Sequence, residues 1–108
     1  MITIEENSGL VTLRLPAEFN YKSHREFREC YAHRSPKQAY VIDFSNVIKF
    51  DSSALGMLLL LRSHCGENKA NIHLINCNPH VRRVLEVARF NDFFRIDTSG
   101  APGWWPGK

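Results

Sequence analysis

The run Tyr40-Val41-Ile42-Asp43-Phe44 is almost continuously apolar. Such a run reads as a strand covered on both faces, as in a sheet with helices packed on it. The segments on either side fit that setting. Ile2 and Ile4 alternate with polar residues in a short first strand, and Asn7-Ser8-Gly9 follows as a turn. Leu10 to Leu15 places Val11, Leu13 and Leu15 on one face and Thr12 and Arg14 on the other, which predicts a second strand with one buried side. Together these make an N-terminal β-hairpin. Pro16 ends it, and 17–22 is a loop carrying Phe19 and Tyr21. Ser23 and Glu26 have the spacing of a capping box for a helix whose apolar face carries Phe27, Cys30 and Tyr31, and Ser35-Pro36 closes that segment.

Beyond the central strand, 45–50 is a connection pinned by Val47 and Phe50. Asp51 or Ser52 caps a helix that runs to about Ser63, with Gly66 as its stop. Asn71 to Cys77 is a strand, and Asn78-Pro79 starts a helix with apolar positions Val81, Val84, Leu85 and Ala88. Phe93 to Ile96 is a last short strand. The order β-β-α-β-α-β-α-β predicts an α/β fold, a mixed four- to five-stranded sheet with parallel pairs and an antiparallel edge. Residues 98–108, rich in Gly and Pro and containing Trp104-Trp105, read as an irregular tail on a domain spanning 1–97.

A chain of 108 residues with 44% hydrophobic and 23% charged residues matches one soluble domain. The net charge of +3 is spread over several segments, and the pairs Arg25/Arg28 and Arg82/Arg83 have acidic neighbours, so no nucleic-acid partner is expected. Cys30, Cys65 and Cys77 are odd in number and irregularly spaced, unlike a secreted disulfide framework. The N-terminus has no signal-peptide pattern, and the longest apolar run falls far short of the roughly 20 residues that span a bilayer. A monomer in a reducing cytoplasm is the expectation.

The informative stretch is Asp51-Ser52-Ser53-Ala54-Leu55-Gly56. It presents small hydroxyls at a helix N-terminus, where free N–H groups and the positive end of the helix dipole tolerate an anionic group. Gly56 removes a side chain near the start of the helix and permits close approach of another chain. The plain alternative is that Asp-Ser-Ser serves only as a helix cap. The helix itself is apolar nearly all round, with Leu60 off its main stripe and Leu59 at the margin, so it is either deeply buried or contacts a partner.

The segment from Val41 to Gly56, an apolar strand, Asp43, a short linker and then Asp-Ser-Ser-Ala-Leu-Gly, resembles the signature of STAS domains of the anti-sigma factor antagonist type. The element order over about 2–96 is also similar, as is the Asn78-Pro79 helix start. The resemblance implies a noncatalytic partner-switching regulator. Unphosphorylated, such a protein binds an anti-sigma factor, often a serine kinase; phosphorylation in the motif breaks the complex and a phosphatase restores it. The phosphoserine position corresponds to Ser52, with Ser53 as the alternative. Asp51, Ser53, Ala54, Leu55 and Gly56 correspond to partner-binding positions, and Phe19 and Asn20 lie in a loop implied to sit beside them. The alternative for Phe19 is packing into the core. Ala54 stands where the family usually has Gly, and the family's C-terminal helix has no counterpart after Ile96.

Other chemistries find little support. The histidines and cysteines form no paired metal-ligand motif. No nucleophile elbow and no glycine-rich phosphate loop is present, so neither catalysis nor a cofactor is expected. Two further functions stay open: a STAS interaction module that works without phosphorylation, and a small-ligand or nucleotide-binding domain using the helix N-terminus at Asp51 to Gly56.

Overall fold

The computed structural model describes residues 1–97. Residues 98–108, including the tail and Trp104-Trp105, lie outside the described residues.

Strand β1 (Thr3–Asn7) and strand β2 (Leu10–Arg14) form the expected antiparallel hairpin. Its turn residues Ser8 and Gly9 both have positive φ, 45° and 84°. That left-handed pair matches the twist of the flanking strands, and glycine takes the wider angle without strain. A two-residue strand β3 (Glu18–Phe19), helix α1 (His24–Tyr31), strand β4 (Ala39–Asp43), a two-residue strand β5 (Lys49–Phe50) and helix α2 (Ser52–His64) follow. Strand β6 (Ile72–Ile75), helix α3 (Pro79–Val87) and strand β7 (Arg95–Ile96) complete the described chain.

The main sheet has the order β1-β2-β4-β6-β7, parallel throughout except for the β1–β2 pair. This is the mixed α/β sheet that the alternating pattern predicts. Helices α1, α2 and α3 all send their buried side chains into one core, where Phe27, Leu58 and Leu85 meet Leu13, Ile42 and Leu74 of the strands.

Four local expectations change. The capping box at Ser23 does not form: Ser23 is in the helical region with no side-chain cap bond. Its hydroxyl donates to the Glu18 carbonyl at 3.3 Å, and Glu26 accepts from the Ile2 N–H at 2.7 Å. The first partner is five residues back in the preceding loop, and the second is 24 residues away. A 3-10 turn at Tyr21–Ser23, capped by Asn20, precedes the helix instead. Strand β2 is buried on both faces, because it is an interior strand whose Leu10 and Thr12 share the second face of the sheet with Val41 and Ile75. β3 and β5 pair in a separate two-stranded parallel ladder, where the sequence reads as loop. The last strand begins only at Arg95, since Phe90–Asp92 forms a 3-10 turn whose Phe90 and neighbouring Phe94 pack into the core.

Candidate functional site

The site lies where β4 hands over to α2, at the C-terminal edge of the parallel strands. Open parallel sheets place their ligand-binding loops there. Three residues, Asp43, Asn78 and Ala17, anchor the connection. The Asp43 carboxylate, almost fully buried, accepts from the Ser45 N–H and from Asn76 Nδ2, both at 2.9 Å, and pairs with Arg14 Nε at 3.3 Å. Asn78 caps α3 by accepting from the Val81 N–H at 2.8 Å, while its Nδ2 donates to the Val47 carbonyl at 3.1 Å. The Ala17 carbonyl accepts from both Ile48 and Lys49 N–H groups, at 2.7 and 2.9 Å.

The β3–β5 ladder then brings two distant loops together. Phe19 lies opposite Phe50, and the residues one step beyond are Asn20 and Asp51. The loop after β2 and the Asp-Ser-Ser segment are therefore neighbours. Phe19 itself is fully buried, packed edge-on against Phe27 at 5.1 Å and stacked with Phe50 at 6.5 Å. Its ring holds this corner from below. Asn20 is half-buried, and its Oδ1 accepts from the Lys22 N–H at 3.0 Å. Tyr21, which shares the interface-candidate loop with Phe19 and Asn20, and Ile48, which the sequence did not mark, stand out into solvent beside these loops, 67% and 72% exposed. The signal for Ile48 is the exposure of a large apolar side chain, which a loop sequence does not encode.

Asp51 is the N-cap of α2, with extended backbone and Oδ1 accepting from the Ser53 N–H at 3.0 Å. The Ser53 hydroxyl donates to the same oxygen. Ser52 is exposed, and among the described residues its hydroxyl has no hydrogen-bond partner. Ala54 is buried beneath the turn, Leu55 is half-buried and Gly56 is exposed. A methyl group added at Gly56 would meet nothing within 4 Å, so the helix surface there is open. Further along, α2 buries Ala54, Met57, Leu58 and Leu61 but leaves Leu59 and Leu60 exposed. It is not a deeply buried helix; one apolar side faces outward.

Among the described residues no group of three or more His, Cys, Asp or Glu is placed to hold a metal ion. Cys30, Cys65 and Cys77 are buried and free. Burial is the main cause that pushes their thiols up, to about 11 for Cys30 and Cys65 and about 12 for Cys77, the reverse of an activated nucleophile. No described helix is long and apolar enough to cross a membrane.

Comparison with known proteins bears directly on this arrangement. The family model of the STAS domain matches residues 1–101. A STAS-domain containing protein of Pseudomonas aeruginosa (strain UCBPP-PA14) is 41% identical over 87 residues, covering 80% of this chain and 86% of that protein. Among solved structures, the anti-sigma factor antagonist SpoIIAA in its unphosphorylated form superposes with a TM-score of 0.75 at 18% identity, over 89% of this chain and 87% of that one. The phosphorylated form of SpoIIAA, from Bacillus, gives 0.70 at 17% identity over 89% and 90%. A sulfate transporter family protein from Wolinella succinogenes has the same fold, with a TM-score of 0.72 at 12% identity over 86% and 80%. At these identities the structures speak for the fold.

Proposed function

The chain belongs to the STAS domain family, and on that footing we propose that it is an anti-sigma factor antagonist acting by partner switching. Unphosphorylated, it binds an anti-sigma factor that is also a serine kinase. Phosphorylation of Ser52 releases that partner, and a phosphatase resets the protein. It does no chemistry itself, and it acts in the cytoplasm with its ATP-dependent kinase.

The observation that carries this reading is the division of labour in Asp51-Ser52-Ser53. Asp51 spends its Oδ1 on both donors of Ser53, while the Ser52 hydroxyl is exposed and unbonded at the first residue of α2. A kinase reaches Ser52 without breaking a cap. A phosphate there adds about −1.5 to −2 charges and three acceptor oxygens. The α2 N-terminus offsets that charge within the domain. At an interface the same group meets desolvation and steric costs. The surface to be covered comprises Asp51, Ser53, Leu55, Gly56 and Asn20, with Phe19 and Ala54 supporting it from beneath. The likeness to a protein solved in both phosphorylated and unphosphorylated forms supports the proposal.

The test is phosphopeptide mapping of the protein from its native cells, paired with co-purification of partners by wild type and by Ser52→Asp. Phosphate on Ser52, and a partner lost in the variant, are the expected results. Equal binding by the two proteins would overturn the switch. A second reading, an interaction module that works without phosphorylation, is favoured by the presence of the same fold in a sulfate transporter family protein. It predicts partner binding indifferent to ATP and to Ser52→Asp.

A further inference from the structure

Helices α1 and α2 are bridged by two rings. Tyr31 of α1 and His64 of α2 are 5.1 Å apart between centroids. Tyr31 is buried, and His64 Nε2, which faces a carbonyl and therefore carries a hydrogen, donates to the Arg34 oxygen at 3.0 Å. This fixed pair belongs to a groove of about 470 Å³ between the helices, lined by Arg28, Tyr31, Ala32, Leu60, Ser63 and His64. Its apolar wall is Tyr31, Ala32 and Leu60, and Leu60 is 49% exposed.

The lip on the α1 side is cationic. Arg25 and Arg28 are exposed, and among the described residues neither has a carboxylate partner. By contrast Arg14, Arg34, Arg82 and Arg89 each face a carboxylate, that of Asp43, Glu6, Glu86 and Asp92. Arg28 also lines a second hollow, of about 370 Å³, together with His24, Arg25 and His33. It thus stands between two concavities. Glu29, in the second hollow, is the one acidic side chain lining either of them among the described residues.

We propose that the α1–α2 groove docks an acidic amphipathic helix of a partner protein, with its apolar side on Tyr31, Ala32 and Leu60 and its carboxylates on Arg28 and Arg25. Charge complementarity selects this occupant. Arg25 and Arg28 are three apart on α1, so their heads lie on one face of the helix. Two carboxylates at i and i+4 of an incoming helix have the same separation. A helix laid in a groove between two others fills the concavity with its apolar side chains and offers its flanks to the lip. A bilayer surface is flat and leaves the concavity empty. A phosphate backbone pairs with the arginines and leaves Leu60 uncovered.

Leu60 lies eight residues beyond Ser52 on α2, about 12 Å along the helix axis. The groove is therefore a second contact area, and the proposal does not rest on phosphorylation of Ser52.

The experiment selects a phage-displayed library of helix-forming peptides against the full chain. The enriched sequences are expected to carry apolar residues at helical spacing flanked by Asp or Glu. The synthesised peptide should shift the amide signals of Ala32, Leu60 and Ser63, and its affinity should fall with added salt. Arg28→Glu is expected to weaken it by at least about tenfold, and Leu60→Ser by about five- to tenfold. The peptide with its acidic residues changed to lysine should bind Arg28→Glu better than it binds wild type, a gain that only a folded variant can show. Ser52→Asp should bind the acidic peptide as wild type does, so this result and the switch stand or fall separately. Enriched peptides without acidic residues, signal shifts confined to other surfaces, or equal binding by Arg28→Glu overturn the proposal. Arg28-dependent binding to phosphatidylserine vesicles or to single-stranded RNA, with no peptide enriched, assigns the surface to that ligand and overturns it as well.

Discussion

The backbone N–H and the hydroxyl of Ser53 both donate to one oxygen of Asp51, Oδ1. That shared acceptor makes Asp51 the anchor of the site rather than a recognition residue alone. Asp51→Ala removes the cap of α2 and is expected to cost about 0.5–2 kcal/mol. Ser53→Ala keeps the backbone bond and costs less. Urea unfolding of the two variants checks the order; a larger loss in Ser53→Ala would contradict it.

Ser52 makes no such bond, so changing it leaves the fold alone. Ser52→Ala and Ser52→Asp are each expected to unfold within about 0.5 kcal/mol of wild type, as surface substitutions generally do. Their binding differs. Ser52→Ala keeps the partner, while Ser52→Asp loses roughly 3–4 kcal/mol, a several-hundred-fold weakening. Calorimetric titration with the purified partner measures both.

Asp43 is a pin and not a ligand. Its carboxylate accepts from Ser45 and Asn76 and faces Arg14. Asp43→Leu strands those donors at a buried position and is expected to destabilise by about 2–4 kcal/mol. Asp43→Asn retains an acceptor and costs less. Thermal unfolding of both variants gives the comparison.

His73 sits buried on the second face of the sheet, and burial, aided by Arg95 and opposed by Asp97, lowers its pKa. The folded state therefore holds fewer protons than the unfolded one on the acid side of the unfolded value, about 6.5. Stability is full above that pH and falls as the pH drops below it. His73→Leu should show a shallower acid slope in a pH series of urea midpoints; an unchanged slope would remove His73 from the account.

The three thiols are expected to be inert at neutral pH. With its thiol pushed up to about 11, Cys30 or Cys65 is about one part in a thousand thiolate at pH 8. A disulfide reagent should label none of the three in the native protein within minutes and all three in urea. Fast labelling of native Cys77, the most strongly shifted, would contradict this.

Much of this was legible in the residues because the signals are local. Asn78-Pro79 caps α3 through a bond only three residues long, Gly66 stops α2 in a left-handed conformation at φ 91°, and Asp51 caps α2 two residues ahead of its donor. Periodicity likewise placed the long strands and helices of the main sheet. What the tertiary structure alone decided involves partners far apart in sequence. Glu26 turned from the expected capping box to the Ile2 N–H, 24 residues away. Phe19 went under the site because Phe27 and Phe50 were there to receive it. Two-residue strands such as β3 and β5 carry no period at all, and only their pairing sets Asn20 beside Asp51. Adjacent hydroxyls are equivalent as letters; a single cap geometry, with the helix axis fixed by the core beneath Ala54, bonded Ser53 and left Ser52 facing water.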